Sequence, residues 1–181
     1  MKPWKTLERH TILKHNQFLT VESHTIELPD GRIIQDWPWL VMPDYANILA
    51  ETTDSRFICL RQTKYSVDGE SLAVVGGYLE PGEAPEAGAR RELREETGYE
   101  APEWFHLGSF PIDGNRGAGT AHFYLARSAK AVAPIDADDL EEHELVLLSR
   151  QEIRTAMLQG EFKLLPWMSI VALGLHYPDS H

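Results

Sequence analysis

The stretch that decides the fold is Gly76–Tyr99, which reads GGYLEPGEAPEAGARRELREETGY. Residues 83–97 are mostly good helix formers, and their Arg and Glu side chains recur at i,i+3 and i,i+4 spacing. Gly98 stands where a helix commonly ends in a left-handed residue, and the glycine pair at 76–77 allows a tight backbone turn. The stretch therefore predicts a loop–helix–loop unit.

Carboxylates crowd one edge of this predicted helix. Glu92 and Glu96 are four residues apart, and Glu95 is three from Glu92. Like charges at these spacings repel by roughly a few tenths of a kcal/mol per pair, so stability alone does not favour them. Mg²⁺ or Mn²⁺ would reverse the sign, because both prefer oxygen ligands and Mg²⁺ is commonly shared with substrate phosphates. A solvated, salt-bridged surface helix is the alternative interpretation of this charge run.

Arg91 and Glu83 suggest a different task. They are eight residues apart, so a direct pair requires Glu83 to lie on a loop that folds back toward Arg91. Gly76, Gly77 and Gly82 would let a backbone carbonyl approach a metal ion closely.

Strand patterns dominate the rest of the chain. Residues 18–28 and 32–41 alternate around a Pro-Asp-Gly turn and predict a β-hairpin, whereas residues 1–17 are weakly patterned. Ser149 with Glu152 predicts a capping box for a helix through Leu158. With one central and two late helices, the pattern is typical of a mixed α+β protein.

The full spacing from Gly77 to Gly98 is G-x5-E-x7-R-E-L-x-E-E-x-G, which resembles the Nudix box. Tyr99 stands where that family usually has an aliphatic residue. The segments LPDGR at 28–32, EETGYEA at 95–101 and LQGEF at 158–162 resemble the ADP-ribose pyrophosphatase branch of the Nudix hydrolases. The resemblance covers the chain from about residue 25 onward.

This resemblance implies an α/β/α sandwich, with the box helix packed on a mixed β-sheet and an N-terminal β-hairpin extension. It divides the chain into an N-terminal extension at 1–43 and a Nudix domain at 44–181. Carried over by position, the metal ligands are Glu92, Glu95, Glu96 and the Gly76 carbonyl, and the residues that orient the helix through a salt bridge are Glu83 and Arg91.

Two departures from the branch leave the general base open. Ala73 stands where the family carries a further metal-binding Glu, and Val75 where it carries Pro. Loss of the expected Glu at position 73 raises the question of whether activity is reduced. After the box, the family's acidic residue is also missing, and the remaining candidates for the base are Asp113, Glu141, Glu142 and Glu144.

Other candidate binding residues each have a plain structural alternative. Trp37 and Trp39 stand two apart on the predicted hairpin and could stack on a purine, or could pack or form a dimer contact. Arg61 could bind phosphate or be a solvated strand end. Arg116, in the Gly-rich loop, is a further candidate phosphate contact.

Composition narrows the partners. The net charge is −11, with 17 Lys and Arg against 28 Asp and Glu, which disfavours polymeric nucleic acid. Cys59 is the only cysteine, so no intrachain disulfide can form, and we expect a buried thiol. The N-terminus has no secretory pattern and no run is long enough for a membrane span, so we expect a cytoplasmic protein. The resemblance implies a homodimer that uses the hairpin.

We therefore expect a Mg²⁺- or Mn²⁺-dependent hydrolase of the pyrophosphate bond in ADP-ribose or a related nucleotide sugar, which releases AMP and a sugar phosphate. One alternative is a Nudix enzyme for a nucleoside triphosphate, a dinucleoside polyphosphate or NADH. Another is a Nudix-fold binding module without activity.

Overall fold

The computed structural model describes residues 1–135 and 143–178. Its strands are β1 (Lys5–His15), β2 (Leu19–Glu27), β3 (Ile33–Val41), β4 (Tyr45–Thr52), β5 (Arg56–Thr63), β6 (Glu70–Ala73), β7 (Val75–Tyr78), β8 (Tyr99–Glu100), β9 (Glu103–Asp113), β10 (Gly117–Ala131) and β11 (His143–Ser149). Its helices are α1 (Pro85–Thr97), α2 (Arg150–Leu158) and α3 (Leu165–Leu175). The chain forms two compact units.

The first unit comprises Met1–Asp44 and Phe110–Ala121. β2 and β3 form the predicted antiparallel hairpin, and β1 adds a third antiparallel strand along β2. The interpretation of residues 1–17 as weakly patterned missed β1. All of its residues are exposed, so no burial alternation marks it in the sequence.

The start of β10 also belongs to the first unit. Gly117 pairs with Leu40 of β3 in a parallel bridge. Gly117 has a φ of 81°, and a Cβ there would lie 2.7 Å from the Trp39 ring. Glycine is therefore needed at this position both for the left-handed backbone and for the close approach of the indole.

The second unit comprises Tyr45–Ser109 and the described residues from His122 onward. Its strands follow the order β10-β4-β5-β11, with β7 on β4, β6 on β5 and β8 on β10. β4 pairs with β7 from Tyr45↔Tyr78 to Ile48↔Val75, and with β5 at Ala50 and Glu51. The box glycines on β7 therefore lie beside the first half of β4.

Helices cover both faces of this sheet. Ile48 and Ala50 belong to one buried cluster with Leu93 of α1. Leu49 points to the other face, as strand geometry requires, and its side chain lies against Gly174 of α3. Full burial of a side chain such as Leu93 contributes about 1.5–3 kcal/mol. The arrangement confirms the predicted α/β/α sandwich with the box helix packed on the sheet.

Local signals fix the helix ends. α1 begins with Pro85 in its first turn and ends at Gly98, whose φ is 72° and whose N–H donates to the Arg94 carbonyl at 2.8 Å. The predicted capping box of α2 is present between Ser149 and Glu152. Among the described residues, no helix is long and apolar enough to cross a membrane.

Candidate active site

Arg91 is the centre of a hydrogen-bond network on α1. Its guanidinium donates to both carboxylate oxygens of Glu83, at 3.0 and 2.9 Å, in a forked pair. Its remaining terminal nitrogen donates to Glu92 at 2.8 Å and to Glu95 at 2.9 Å. Arg91 also donates to the Tyr78 carbonyl at 3.2 Å. One cation therefore ties the loop, the helix and the end of β7 together.

The loop before α1 folds back as the Arg91–Glu83 spacing required. The Glu80 N–H donates to Glu83 Oε2 at 2.9 Å, and the Glu83 N–H donates to the Glu80 carbonyl at 2.9 Å. The side chain of Glu83 is only 14 % exposed, so its charge depends on these partners. Hydrogen bonds from Arg91 hold the pKa of Glu83 below its ordinary value.

The two box glycines bring the strand against the helix carboxylates. The Gly76 N–H donates to Glu96 Oε2 at 2.9 Å. A Cβ at Gly77 would lie 2.5 Å from the Glu92 carboxylate carbon, so a larger residue would displace this carboxylate from its present position. Glu92 and Glu96 therefore converge on two adjacent residues of β7, Gly76 and Gly77.

Family models match both parts of the chain. A nucleoside diphosphate sugar hydrolase N-terminal domain matches residues 4–40, and a NUDIX domain matches residues 42–168. The chain belongs to the Nudix family. It is a Nudix hydrolase, as the box predicts, and the mixed sheet with its helices is the Nudix fold.

Similar proteins include an ADP-ribose pyrophosphatase of Bacillus subtilis (strain 168), 28 % identical over 88 % of this chain and 84 % of its own length. A methanol dehydrogenase activator of Bacillus methanolicus is 27 % identical over 78 % of this chain and 75 % of its own. A CMP-5'-(N-acetyl-N-hydroxy-3-aminopropyl)phosphonate hydrolase of Streptomyces rubellomurinus (strain ATCC 31215) is 26 % identical over 72 % of this chain and 64 % of its own length. The crystal structure of an ADP compounds hydrolase superposes with a TM-score of 0.79 at 19 % identity, over 96 % of this chain and 92 % of that one.

The donor set of this Nudix hydrolase fits a hard divalent cation. Glu92 and Glu96 offer carboxylate oxygens beside the Gly76–Gly77 backbone, where a Cβ at Gly77 would fill the space. Within the described residues, no group of three or more His, Cys, Asp or Glu side chains gathers as a metal site. Mg²⁺ is usually bound through one or two carboxylates plus waters and substrate phosphates, and this pair suits that pattern.

A cleft of about 460 Å³ lies along the same helix. Arg91 and Glu95 line one part of it, together with Arg94, which pairs with Glu100 at 2.8 Å. Ala133, Pro134 and Ile135 form its apolar part. The cleft thus offers positive and apolar surface beside the edge of α1 that carries Glu95.

The predicted substrate-binding residues do not all lie in one unit. Arg61 lies on β5 of the second unit, where its register partners are Leu72 and Glu144. Trp37, Trp39 and Arg116 lie in the first unit. Their role in binding stays a prediction.

The indole rings in the first unit already have neighbours. The Arg116 guanidinium lies 5.8 Å from the centre of the Trp37 ring, and Trp37 Nε1 donates to the Asn115 carbonyl at 2.7 Å. Trp39 stacks on His24 with ring centres 5.3 Å apart. These contacts are the kind that packing produces, which was the structural alternative for both tryptophans.

The candidates for the general base differ in environment. Asp113 accepts hydrogen bonds from the N–H groups of Asn115 and Arg116, which hold its pKa below the ordinary value and make it a weaker base. Glu144 is exposed on β11. Glu141 and Glu142 lie outside the described residues. Ala73, where the family carries a Glu, is fully buried.

Two backbone partners in the site escaped the sequence interpretation. The Tyr78 carbonyl and the Gly76 N–H take part through Arg91 and Glu96, which are 13 and 20 residues away. The resemblance had named the Gly76 carbonyl, but a pattern of side chains does not mark these two other backbone groups. The glycine pair itself was the available hint, because it permits such an approach.

Glu83 gives a pH-dependent prediction. Its folded-state pKa is lowered, so its contribution to stability is present above about pH 4.5 and is lost as the pH falls through the folded-state pKa. We expect the difference in unfolding free energy between wild type and Glu83→Gln to be largest near neutral pH. The difference should shrink as the pH falls below about 4.5. Urea unfolding at a series of pH values measures this difference. Glu86→Gln is the control, because the Glu86 side chain is about half exposed. A difference that does not vary with pH would contradict the account.

Cys59 gives a second prediction. The residue is fully buried, and burial raises its pKa to about 12. On the order of one thiol in ten thousand is then ionised near pH 8, so we expect no reaction with a disulfide thiol reagent in the folded protein. One equivalent should react in denaturant. Rapid labelling without denaturant would place the thiol at the surface and contradict the packing of β5.

Proposed function

We propose that this Nudix hydrolase cleaves the pyrophosphate bond of a nucleoside diphosphate derivative, ADP-ribose or a related nucleotide sugar, with Mg²⁺ or Mn²⁺. The products are AMP and a sugar phosphate. The observation that carries the proposal is the convergence of Glu92 and Glu96 on Gly76 and Gly77 of β7, with Arg91 holding the helix in place.

The names of the similar proteins support this substrate class. One is an ADP-ribose pyrophosphatase, and another is a hydrolase of a CMP-linked phosphonate. Both substrates join a nucleotide to a second group. The match of residues 4–40 to the N-terminal domain of nucleoside diphosphate sugar hydrolases points in the same direction.

The chain's own residues have distinct roles in this proposal. Glu92, Glu96 and the Gly76 carbonyl would hold the cation, with Glu95 beside them. When bound, a divalent cation neutralises phosphate charge and lowers the pKa of a coordinated water. Arg91 and Glu83 keep the carboxylates in register with the strand. Arg94 in the cleft supplies positive charge near the substrate.

We propose that Asp113 is the weakest of the described candidates for the base that accepts the proton from water. A lowered pKa makes Asp113 a poor acceptor, because its charged form is already satisfied by two N–H groups. Among the described candidates, Glu144 has a carboxylate exposed to solvent. We propose Glu144 as the general base. We expect Glu144→Gln to lower kcat more than Asp113→Asn does.

A hydrolysis screen with product identification tests the proposal. The substrates are ADP-ribose, a hexose nucleotide, NADH, a dinucleoside polyphosphate and nucleoside triphosphates, each with Mg²⁺ and with Mn²⁺. We expect the highest kcat/KM for ADP-ribose or another nucleotide sugar. A higher kcat/KM for one of the other substrate classes would contradict the proposed substrate but not the proposed pyrophosphate hydrolysis. Cation binding without turnover of any substrate would favour a binding module.

The oligomeric state and compartment are also proposals. We infer a cytoplasmic homodimer that uses the first unit, with no polymeric nucleic acid or membrane as partner. The support for the contact is a set of exposed apolar side chains on that unit, Leu7, Ile12, Leu13, Phe18 and Ile33. Light scattering after size exclusion measures the mass. A monomer at micromolar concentration would contradict the contact.

A further inference from the structure

A buried asparagine lies directly across from the first box glycine. Asn47 on β4 is the register partner of Gly76 on β7, and only 4 % of its surface is exposed. Its Oδ1 is buried and accepts no hydrogen bond from the described residues. Buried polar groups are nearly always hydrogen-bonded, because desolvation without a partner costs free energy. The carboxamide therefore lowers stability relative to an apolar side chain of the same shape.

The carboxamide fills the space beside Gly76. A Cβ at Gly76 would lie 2.5 Å from Asn47 Nδ2 and 3.0 Å from Asn47 Cα. Real side chains do not approach so closely, and the Ala46 carbonyl oxygen would lie closer still, so the backbone of β4 by itself requires glycine at position 76. The Asn47 side chain packs against this glycine.

Gly76 also meets the helix carboxylates. Its N–H donates to Glu96 at 2.9 Å rather than serving only the strand pairing. In an antiparallel strand the N–H and C=O of one residue point to the same side, so we expect the Gly76 carbonyl at the edge that Glu96 approaches. Asn47 thus packs against the residue whose N–H binds one proposed ligand and whose carbonyl is another.

We propose that Asn47 is a positioning residue, which holds the Gly76 peptide against Glu96 and thereby raises the affinity of the box for a divalent cation. This inference rests on the proposed function, in which the box binds the cation. The sequence presents YANILA at 45–50 as an ordinary strand, and only the pairing of β4 with β7 brings Asn47 to the site. Partners that orient metal ligands typically change metal affinity about 10- to 100-fold.

Manganese titration tests the inference, with free Mn²⁺ followed by electron paramagnetic resonance and stability by thermal unfolding without metal. We expect Asn47→Ala, which removes the side chain packed against Gly76, to weaken Mn²⁺ binding about tenfold, and Asn47→Leu, which keeps its shape, to bind Mn²⁺ like wild type. The melting temperature of Asn47→Leu should equal or exceed that of wild type, because leucine removes the unpartnered acceptor. Loss of affinity in the alanine variant and its rescue by leucine, measured where both variants are folded, is a pattern that a general loss of stability would not produce.

Thr52→Val is the matched control. Thr52 is buried at the other end of β4 and its hydroxyl bonds to Asp54 and to the Arg56 carbonyl. We expect this variant to unfold at a lower temperature with unchanged Mn²⁺ affinity. Glu96→Gln defines which part of the binding belongs to the box.

The outcomes separate the two proposals. Wild-type affinity in Asn47→Ala, with box binding present in wild type, would overturn the role of Asn47 and leave the proposed function standing. Binding that is the same in wild type and Glu96→Gln would overturn the proposed function, and this inference with it. If Asn47→Ala does not fold, Asn47→Ser also shortens the side chain beside Gly76 and should weaken binding, whereas unchanged affinity there would overturn the inference.

Discussion

Glu96→Gln is expected to lower kcat about a thousandfold, with little change in the free energy of unfolding. The amide oxygen of Gln can still accept the hydrogen bond from the Gly76 N–H, so the contact between α1 and β7 survives. The negative charge that binds the cation is lost. A bound metal supplies several kcal/mol of charge stabilisation, and about 1.4 kcal/mol corresponds to tenfold in rate.

The matched control is Glu86→Gln on the same helix. Glu86 is about half exposed and pairs with Arg90 at 2.8 Å, away from the box carboxylates. Steady-state kinetics on the best substrate of the screen, with denaturant unfolding alongside, compares the two variants. Equal activity in Glu96→Gln and Glu86→Gln would show that the charge of Glu96 is not used in the reaction.

Arg91→Ala is expected to destabilise the protein by roughly 3 kcal/mol and to abolish most activity. The change leaves Glu83 and Glu92, which are 14 % and 12 % exposed, without their shared cation. Removing one partner of a buried ion pair is costly because the remaining charge stays desolvated. The pair with Glu95, which is 46 % exposed, adds little because solvent screens it.

Arg94→Ala controls for loss of a positive charge on the same helix. Arg94 is 61 % exposed and pairs with an exposed carboxylate, so we expect a change within about 1 kcal/mol. Urea unfolding measures both variants. Equal destabilisation by the two changes would contradict the central position of Arg91.

Unfolding in saturating Mg²⁺ is a further check. A bound cation should restore more stability to Arg91→Ala than to wild type, because it replaces the missing charge.

Features that depend on neighbours in sequence were predictable. The helix predicted over residues 83–97 forms from Pro85 to Thr97. Its end at Gly98 and the capping box of Ser149 and Glu152 follow from contacts within a few residues. The pairing of Arg91 with Glu83 was predictable from its spacing because it requires only one loop to fold back. These are short-range effects, which local composition encodes.

Features that depend on pairing between distant segments were not predictable. β1 carries no burial alternation, and only its partner β2 makes it a strand. Phe110–Ala121 joins the first compact unit although nothing in its sequence points to the N-terminus. The proximity of Asn47 to Gly76 follows from the register between β4 and β7, which one sequence without its fold does not reveal.

The central claim is that this site cleaves the pyrophosphate bond of a nucleotide sugar with a divalent cation. The most direct measurement is single-turnover hydrolysis of ADP-ribose in ¹⁸O-labelled water with Mg²⁺, followed by mass spectrometry of the products. The account predicts AMP and a ribose phosphate in equal amounts, with one labelled oxygen incorporated per cleavage and none formed in the presence of a chelator. Release of free ribose with ADP, or cleavage that continues without any divalent cation, would contradict it.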